Sequence, residues 1–464
     1  MLKRRTMLSA LVAAALSPRA DLLSAADPVA ATGGARRLPW RNWSGSQTCL
    51  PQARVAPASV SELQTLVAEG SGVVRAVGAG HSFTPLVPTE GTIVSLSRLS
   101  GLVDHDTTSL QATLRAGSRL GDIGAPLEQA GQALVNMPDI DEQTLAGCLA
   151  TATHGTGVDI GCMSTLVEGI QLVNARGDLV DCDRQHNTEL FEAARVSLGV
   201  LGIITQVRLQ NVEPYRLRRE TVWREFDEIL EMADSEADKH RNFEFYYVPF
   251  SGMGFTDSQD ISNEAVSSTE KLDGNEGVRD LQRARDWLEW SPGLRELVLG
   301  SYMKTLGDEV TIENSWKNYA SERNVRFNEM EYHLPRENGL QALREVRVAL
   351  ESQHPEVFFP IEVRFVKGDD IWLSPFYRQD CCSIAVHRFF EEDFTPYFKT
   401  IEPIFRKYNG RPHWGKLNTL QRQDFRKLYP RWDDFAEVRR QMDPQGRFLN
   451  PYLASLFPLA GGRS

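Results

Sequence analysis

At 464 residues, with 41% hydrophobic and 24% charged residues, the chain has a globular composition, which excludes a fibrous or disordered polymer. A formal net charge of -11 excludes a general nucleic-acid binder, which needs a basic footprint. Six cysteines are too few for a disulfide scaffold, and no apolar run beyond the N-terminus reaches the roughly 20 residues that cross a bilayer, so no stable membrane insertion is expected.

The N-terminus reads as an address. Lys3, Arg4 and Arg5 precede an apolar stretch, Met7 to Leu16, and then small residues. Lys3-Arg4-Arg5-Thr6-Met7-Leu8 is close to a twin-arginine signal, and Ser24-Ala25-Ala26 offers a cleavage site. Residues 1–35 are therefore expected to export the protein to the periplasm, by a route that carries folded proteins, often with a cofactor in place. Cys49, Cys148, Cys162, Cys182, Cys381 and Cys382 include no C-x-x-C pair and no zinc-ligand spacing. They are expected to be buried free thiols, and no metal is expected.

From Arg37 to about Pro214, short apolar runs alternate with glycine-rich turns. Val73 to Val77 reads as a strand ending in Gly78-Ala79-Gly80-His81-Ser82; Ile93 to Leu96 and Leu110 to Arg115 read as further strands. Leu120, Ile123 and Leu127 recur at helical spacing, which predicts a helix over 120–130. Ile170 to Val173 and Leu179-Val180 flank Asn174-Ala175-Arg176-Gly177-Asp178, a hairpin turn. Leu190 to Val196 reads as a helix, and Ile203 to Leu209 as a strand.

Near Tyr215 the texture changes. Arg216 to His240 is charged and helix-prone, and Ser251 to Arg285 is polar and reads as an exposed connection. Asn328 to His333 and Ile361 to Lys367 read as edge-like strands, and Ser383 to Phe389 as another. Between the first two, Leu340, Leu343, Val346 and Leu350 mark one face of a helix over 338–353. This half is expected to be an antiparallel sheet with helices on one side.

Gly78-Ala79-Gly80 is not a Rossmann fingerprint, because Phe83 stands where the third glycine belongs. Such a loop can still bind phosphate through bare backbone N–H groups. Thr151-Ala152-Thr153-His154-Gly155-Thr156-Gly157 and Gly199 to Gly202 are two more loops of this character, and three in one alternating region point to a dinucleotide. Arg75-x-Val77-Gly78-x-Gly80-His81-Ser82, Gln143-Thr144-Leu145-Ala146-Gly147, Ala152 to Gly157 and the C-terminal His413-Trp414-Gly415-Lys416 together resemble the vanillyl-alcohol-oxidase type of FAD protein, in its sugar-1,4-lactone oxidase branch. The resemblance runs from about Trp40 to Leu456.

The resemblance implies an α+β protein: an FAD-binding domain of two subdomains at 38–214, a substrate (cap) domain at 215–411, and a segment at 412–464 completing the FAD domain and active site. It places FAD against Val77, Gly78, Ala79, Gly80, His81, Ser82, Pro138, Gly147, Thr151, Thr153, His154, Gly157, Gly202, Ile204 and Lys416, with a covalent bond from the His81 imidazole to the flavin. A neutral imidazole is a suitable nucleophile for that bond. His154 is expected to order its loop, without a catalytic role.

Period two puts Glu362 and Arg364 on one face of their strand. An acid and a base so placed suit a structural ion pair or chemistry on a hydroxyl. In the resembled family such a pair meets the substrate: arginine stabilises alkoxide charge and the carboxylate takes the proton. With Lys416 these are the expected catalytic residues; Asp139, Glu362, Arg364, His387 and His413 are expected to meet the substrate. Asp139 stands where alditol oxidases carry a polyol-contacting serine. In the resembled family, proline at the position matching Pro138 is more typical of oxidases, which implies access for oxygen.

The expected reaction removes a hydride from a CH–OH carbon of a sugar lactone or polyol and passes electrons from FAD to oxygen, giving hydrogen peroxide. For an aldonolactone the oxidised carbon would be C2. The alternatives are a dehydrogenase using a cytochrome or quinone, an oxidase of alditols or another alcohol, and a periplasmic binding protein without turnover.

Overall fold

Short β-branched runs in the first half pair into two small sheets. In this computed structural model, which describes residues 37–267, 275–321 and 324–459, Ala53–Val55, Thr92–Ser95 and Val74–Val77 form a parallel sheet with Thr92–Ser95 in the middle. The expected export signal lies outside the described residues. The crossover is the helix Val60–Glu69, whose first turn is capped by the Ser59 side chain and whose Leu63 and Val67 are buried. The second sheet is antiparallel, in the order Leu102–Asp106, Gln111–Arg115, Ile203–Gln210, Val167–Val173, Leu179–Asp183. The hairpin turn forms where its residues predict, closed by the Asn174 N–H on the Asp178 carbonyl.

The second half contributes an eight-stranded antiparallel sheet, in the order Glu309–Asn314, Arg216–Glu225, Met253–Ser262, Asn242–Tyr247, Ile361–Val366, Cys381–Phe389, Phe327–Pro335, Arg411–Pro412. Its faces differ because its strands alternate. Phe243, Phe245, Val363, Phe365, Ile384 and Tyr332 pack beneath the helices Phe226–Lys239, Arg336–Gln353 and Thr395–Lys407. The opposite face carries Glu244, Tyr246, Glu362, Arg364, Glu329, Glu331 and His333, placed side by side by the register. The protein thus combines an FAD-domain-like α+β half with an antiparallel sheet covered by helices on one side.

Several local readings need correction. Arg216 to Glu225 is a strand, and the helix of that charged stretch begins only at Phe226. Met253–Ser262, inside the segment read as an exposed connection, is an interior strand between Arg216–Glu225 and Asn242–Tyr247. Its polar residues misled because they have partners on the polar face: Asp257 pairs with Arg219, and Gln259 accepts from Asn318 at 3.2 Å. Asn275–Leu288 is a helix. The two strands read as edge-like both lie inside the sheet.

Buried Arg75 fastens the first half to the C-terminal segment. Its guanidinium donates to the carbonyls of Leu86, Leu198, Gly199 and Phe448 at 2.6–2.9 Å. The six cysteines are unpaired, and five of them are buried. No helix among the described residues is long and apolar enough to cross a membrane.

Candidate active site

The strand Val74–Val77 ends in the loop Gly78 to Ser82, and glycine is required at its start. A Cβ on Gly78 would lie 2.0 Å from Thr144 Oγ1, and Gly80 has φ +73°. Among the described residues, the N–H groups of Ala79 to Ser82 donate to no protein acceptor. Four consecutive free donors beside a cleft of about 360 Å³ make an anion nest, and this is the feature that fits a pyrophosphate.

Val77, Gly78, Ala79, Gly80, His81, Ser82, Pro138, Gly147, Thr151, Thr153, His154, Gly202 and Ile204 line this one cleft, with Asp139, Arg364, His413 and Lys416. Gly157 does not join them. Its N–H donates to the Phe365 carbonyl at 2.7 Å, which docks its loop on the large sheet. Glu362 and His387 are not among the lining residues; Glu362 is bonded to Arg364, which is, and His387 is held by the Pro360 carbonyl at 3.2 Å.

The His413 to Lys416 segment runs between the two halves. The His413 N–H donates to the Glu331 carbonyl and the Gly415 carbonyl accepts from the Phe83 N–H, while Leu417, just after the segment, donates to the Glu329 carbonyl and Thr84 Oγ1 donates to the Trp414 carbonyl at 2.7 Å. Trp414 is buried and donates from Nε1 to Leu373. The Lys416 ammonium is thereby held beside the cleft, paired with Glu329. Burial alone would lower its pKa, but Glu329 and Glu331 outweigh burial and raise it. The same pairing holds Glu329 below the usual carboxylate range against the effect of burial.

Arg364 is the hub of the polar face. It pairs with Glu362, with Glu244 at 2.8 Å and with Asp139 at 3.2 Å. Burial pushes Glu362 up to about 7; Arg364 opposes the rise, and Asp139 and Glu244 add to it. Burial works against the Arg364 charge, yet its three carboxylates hold it protonated. His81 stacks on Trp43 with ring centroids 5.1 Å apart. Burial, and then Lys416, lower it to about 4, so the ring is neutral at ordinary pH. Burial likewise lowers His413 to about 3, and its Nδ1 accepts from the Gly415 N–H.

Two groups, His154/Glu331/His333 and Glu329/Glu362/His387, bring three potential metal ligands within 4.8 Å. In each, a carboxylate already has a protein partner: Glu331 has His154, and Glu329 has Lys416.

The sequence reading missed Glu244, Tyr246, Glu329 and Glu331. The signal was present as alternation: Asn242-x-Glu244-x-Tyr246 and Glu329-x-Glu331-x-His333 repeat at period two, as Glu362-x-Arg364 does.

The arrangement offers a nest for a dinucleotide phosphate, an ammonium and a guanidinium along one cleft, and a carboxylate poised near neutrality. A sequence profile described as D-arabinono-1,4-lactone oxidase matches residues 207–456, and one described as FAD binding domain matches residues 51–183. The chain is 37% identical over 424 residues to an L-gulono-1,4-lactone dehydrogenase of Mycobacterium tuberculosis, covering 89% of this chain and 97% of that protein. It is 32% identical over 437 residues to the L-gulonolactone oxidase of Bos taurus, covering 91% and 99%. The fold is that of a solved solvent-stable cholesterol oxidase, with a TM-score of 0.76 at 18% identity over 90% of this chain and 97% of that one.

Proposed function

The chain belongs to the D-arabinono-1,4-lactone oxidase family, and from that premise we propose that it oxidises a CH–OH carbon of a sugar-1,4-lactone with FAD as its cofactor. The observation that carries this reading is the convergence of the free amides of Ala79 to Ser82 with Arg364 and Lys416 on one cleft. FAD supplies a two-electron hydride acceptor when bound. Its pyrophosphate suits the nest, with Gly147, Thr151, Thr153, Gly202 and Ile204 along the same wall.

The chain's own residues do the rest. Arg364 orients the substrate hydroxyl and stabilises the charge that develops on its oxygen, in a site where water is scarce. Glu362 takes the hydroxyl proton. Asp139 accepts hydrogen bonds from further hydroxyls. Lys416, fixed by Glu329, keeps a positive charge at the cleft. His387 and His413 shape the wall around them.

Three finer statements belong to the same proposal. The acceptor is molecular oxygen, which the buried Pro138 at the cleft supports. The dehydrogenase reading, with a cytochrome or quinone as acceptor, draws support from the name of the mycobacterial relative. His81 bonds covalently to the flavin, which its neutral, stacked imidazole favours; flavin that stays on acid-denatured protein and leaves the His81→Ala protein would bear this out. Residues 1–35 export the folded protein by the twin-arginine route; periplasmic accumulation should be lost when Arg4 and Arg5 both become lysine.

The test is turnover of aldonolactones and alditols, with hydrogen peroxide and reduced cytochrome c measured in parallel. Peroxide formed from a lactone supports the oxidase. Cytochrome reduction without peroxide supports the dehydrogenase. Turnover of alditols alone would overturn the lactone assignment.

A further inference from the structure

We propose that Tyr246 and Glu244 form a proton relay that carries the substrate hydroxyl proton away from Glu362. The inference rests on the reading of the cleft as an alcohol-oxidising site, and it adds two residues to that chemistry.

Tyr246 Oη lies 2.5 Å from Glu362 Oε1 and 3.1 Å from Glu244 Oε1. A phenol has one hydrogen and can donate to only one of them. The other oxygen must bring its own proton or set lone pair against lone pair. The charge balance points the same way. Arg364 is one guanidinium facing three acidic side chains, Glu362, Glu244 and Asp139. A proton retained within Glu362, Tyr246 and Glu244 relieves that excess. The other charged groups facing the trio are already paired: on the outer strands Arg219 serves Asp257, and on the inner strands Lys416 serves Glu329, beside His387.

The relay ends at a small chamber. Glu244, Asp139 and Arg364 share a chamber of about 10 Å³ with Asn242, Gln259 and Tyr319. Its polar lining and volume suit about one water molecule. The substrate O–H proton passes to Glu362, while its bonding electrons form the second C=O bond and the C–H hydride leaves with two electrons for FAD. Glu362 then passes a proton to Tyr246 Oη, Tyr246 passes its own to Glu244, and Glu244 releases one to the chamber. Each protein oxygen ends with the hydrogens it began with, and one proton leaves per substrate oxidised.

The test uses the FAD-loaded protein and its Tyr246→Phe and Glu244→Gln variants, with retained flavin spectra as the check on folding. Steady-state turnover of lactone is followed from acidic to alkaline pH. The relay requires both variants to turn over about tenfold slower or more even on the alkaline plateau, where Glu362 starts ionised, because every further cycle needs its proton removed. A Tyr246→Phe protein that regains the full rate at alkaline pH would overturn it, because the hydroxyl would then only tune Glu362. Infrared spectra of the substrate-free proteins provide an independent readout. A protonated-carboxyl carbonyl band should be present in the wild type and altered in both variants; its absence from the wild type overturns the retained proton. If wild-type flavin is bleached by no lactone, the functional reading fails, and the infrared band still decides whether the proton is shared.

Discussion

His154 Nε2 lies 2.9 Å from Glu331 Oε1, while its Nδ1 lies 2.8 Å from the Gly155 carbonyl. Both partners are oxygens, and the ring held between them joins the glycine loop to the large sheet. His154 thereby ties its loop to a carboxylate 177 positions away.

His154→Ala should leave Glu331 charged and buried without its partner. The expected loss is about 3–5 kcal/mol of unfolding free energy. His154→Ala with Glu331→Gln also removes the buried carboxylate's charge and should recover part of it. Denaturant unfolding of the two proteins gives the comparison.

The reductive step should depend on pH through Glu362. In the proposed reaction its ionised form is the base, and burial raises its pKa to about 7. The rate should therefore fall as pH drops below about 7 and level off above it. Glu362→Gln should abolish this limb and slow the step by about 10²–10⁴-fold. Stopped-flow bleaching rates across pH measure both effects.

Lys416→Met should slow the same step by about 10²–10³-fold, the usual cost of one preorganised electrostatic group. It also strands the buried Glu329 carboxylate. Lys416→Arg keeps the charge and should retain more of the rate. Comparing the two variants separates charge from packing.

Gly78→Ala should cost flavin binding, because the new Cβ collides with Thr144 Oγ1 at 2.0 Å. The Thr144 side chain makes no cap bond to its helix, so Thr144→Ala is tolerable there. Adding Thr144→Ala to Gly78→Ala should restore flavin. The ratio of flavin to protein absorbance after purification is the readout.

Much of this site was legible in the sequence because its signals are local. The Gly78 to Ser82 loop, the Glu362/Arg364 pair and the His413 to Lys416 segment each announce themselves within a few residues. The partners were harder. Glu329 and Glu331 matter because Lys416 and His154 reach them from distant segments, and a pairing set by sheet register leaves only a period-two alternation behind. The same cause hid the strand Met253–Ser262. Asp257 and Gln259 look like loop residues until Arg219 and Asn318 stand opposite them. Gly157 carried the glycine-loop pattern but serves the sheet contact with Phe365.

The most direct test of the central claim is anaerobic mixing of the purified protein with a panel of aldonolactones, watching the visible flavin band. The expected result is bleaching by a lactone in wild type, with no comparable bleaching of Arg364→Met. A protein that carries flavin but is bleached by no lactone would contradict the account.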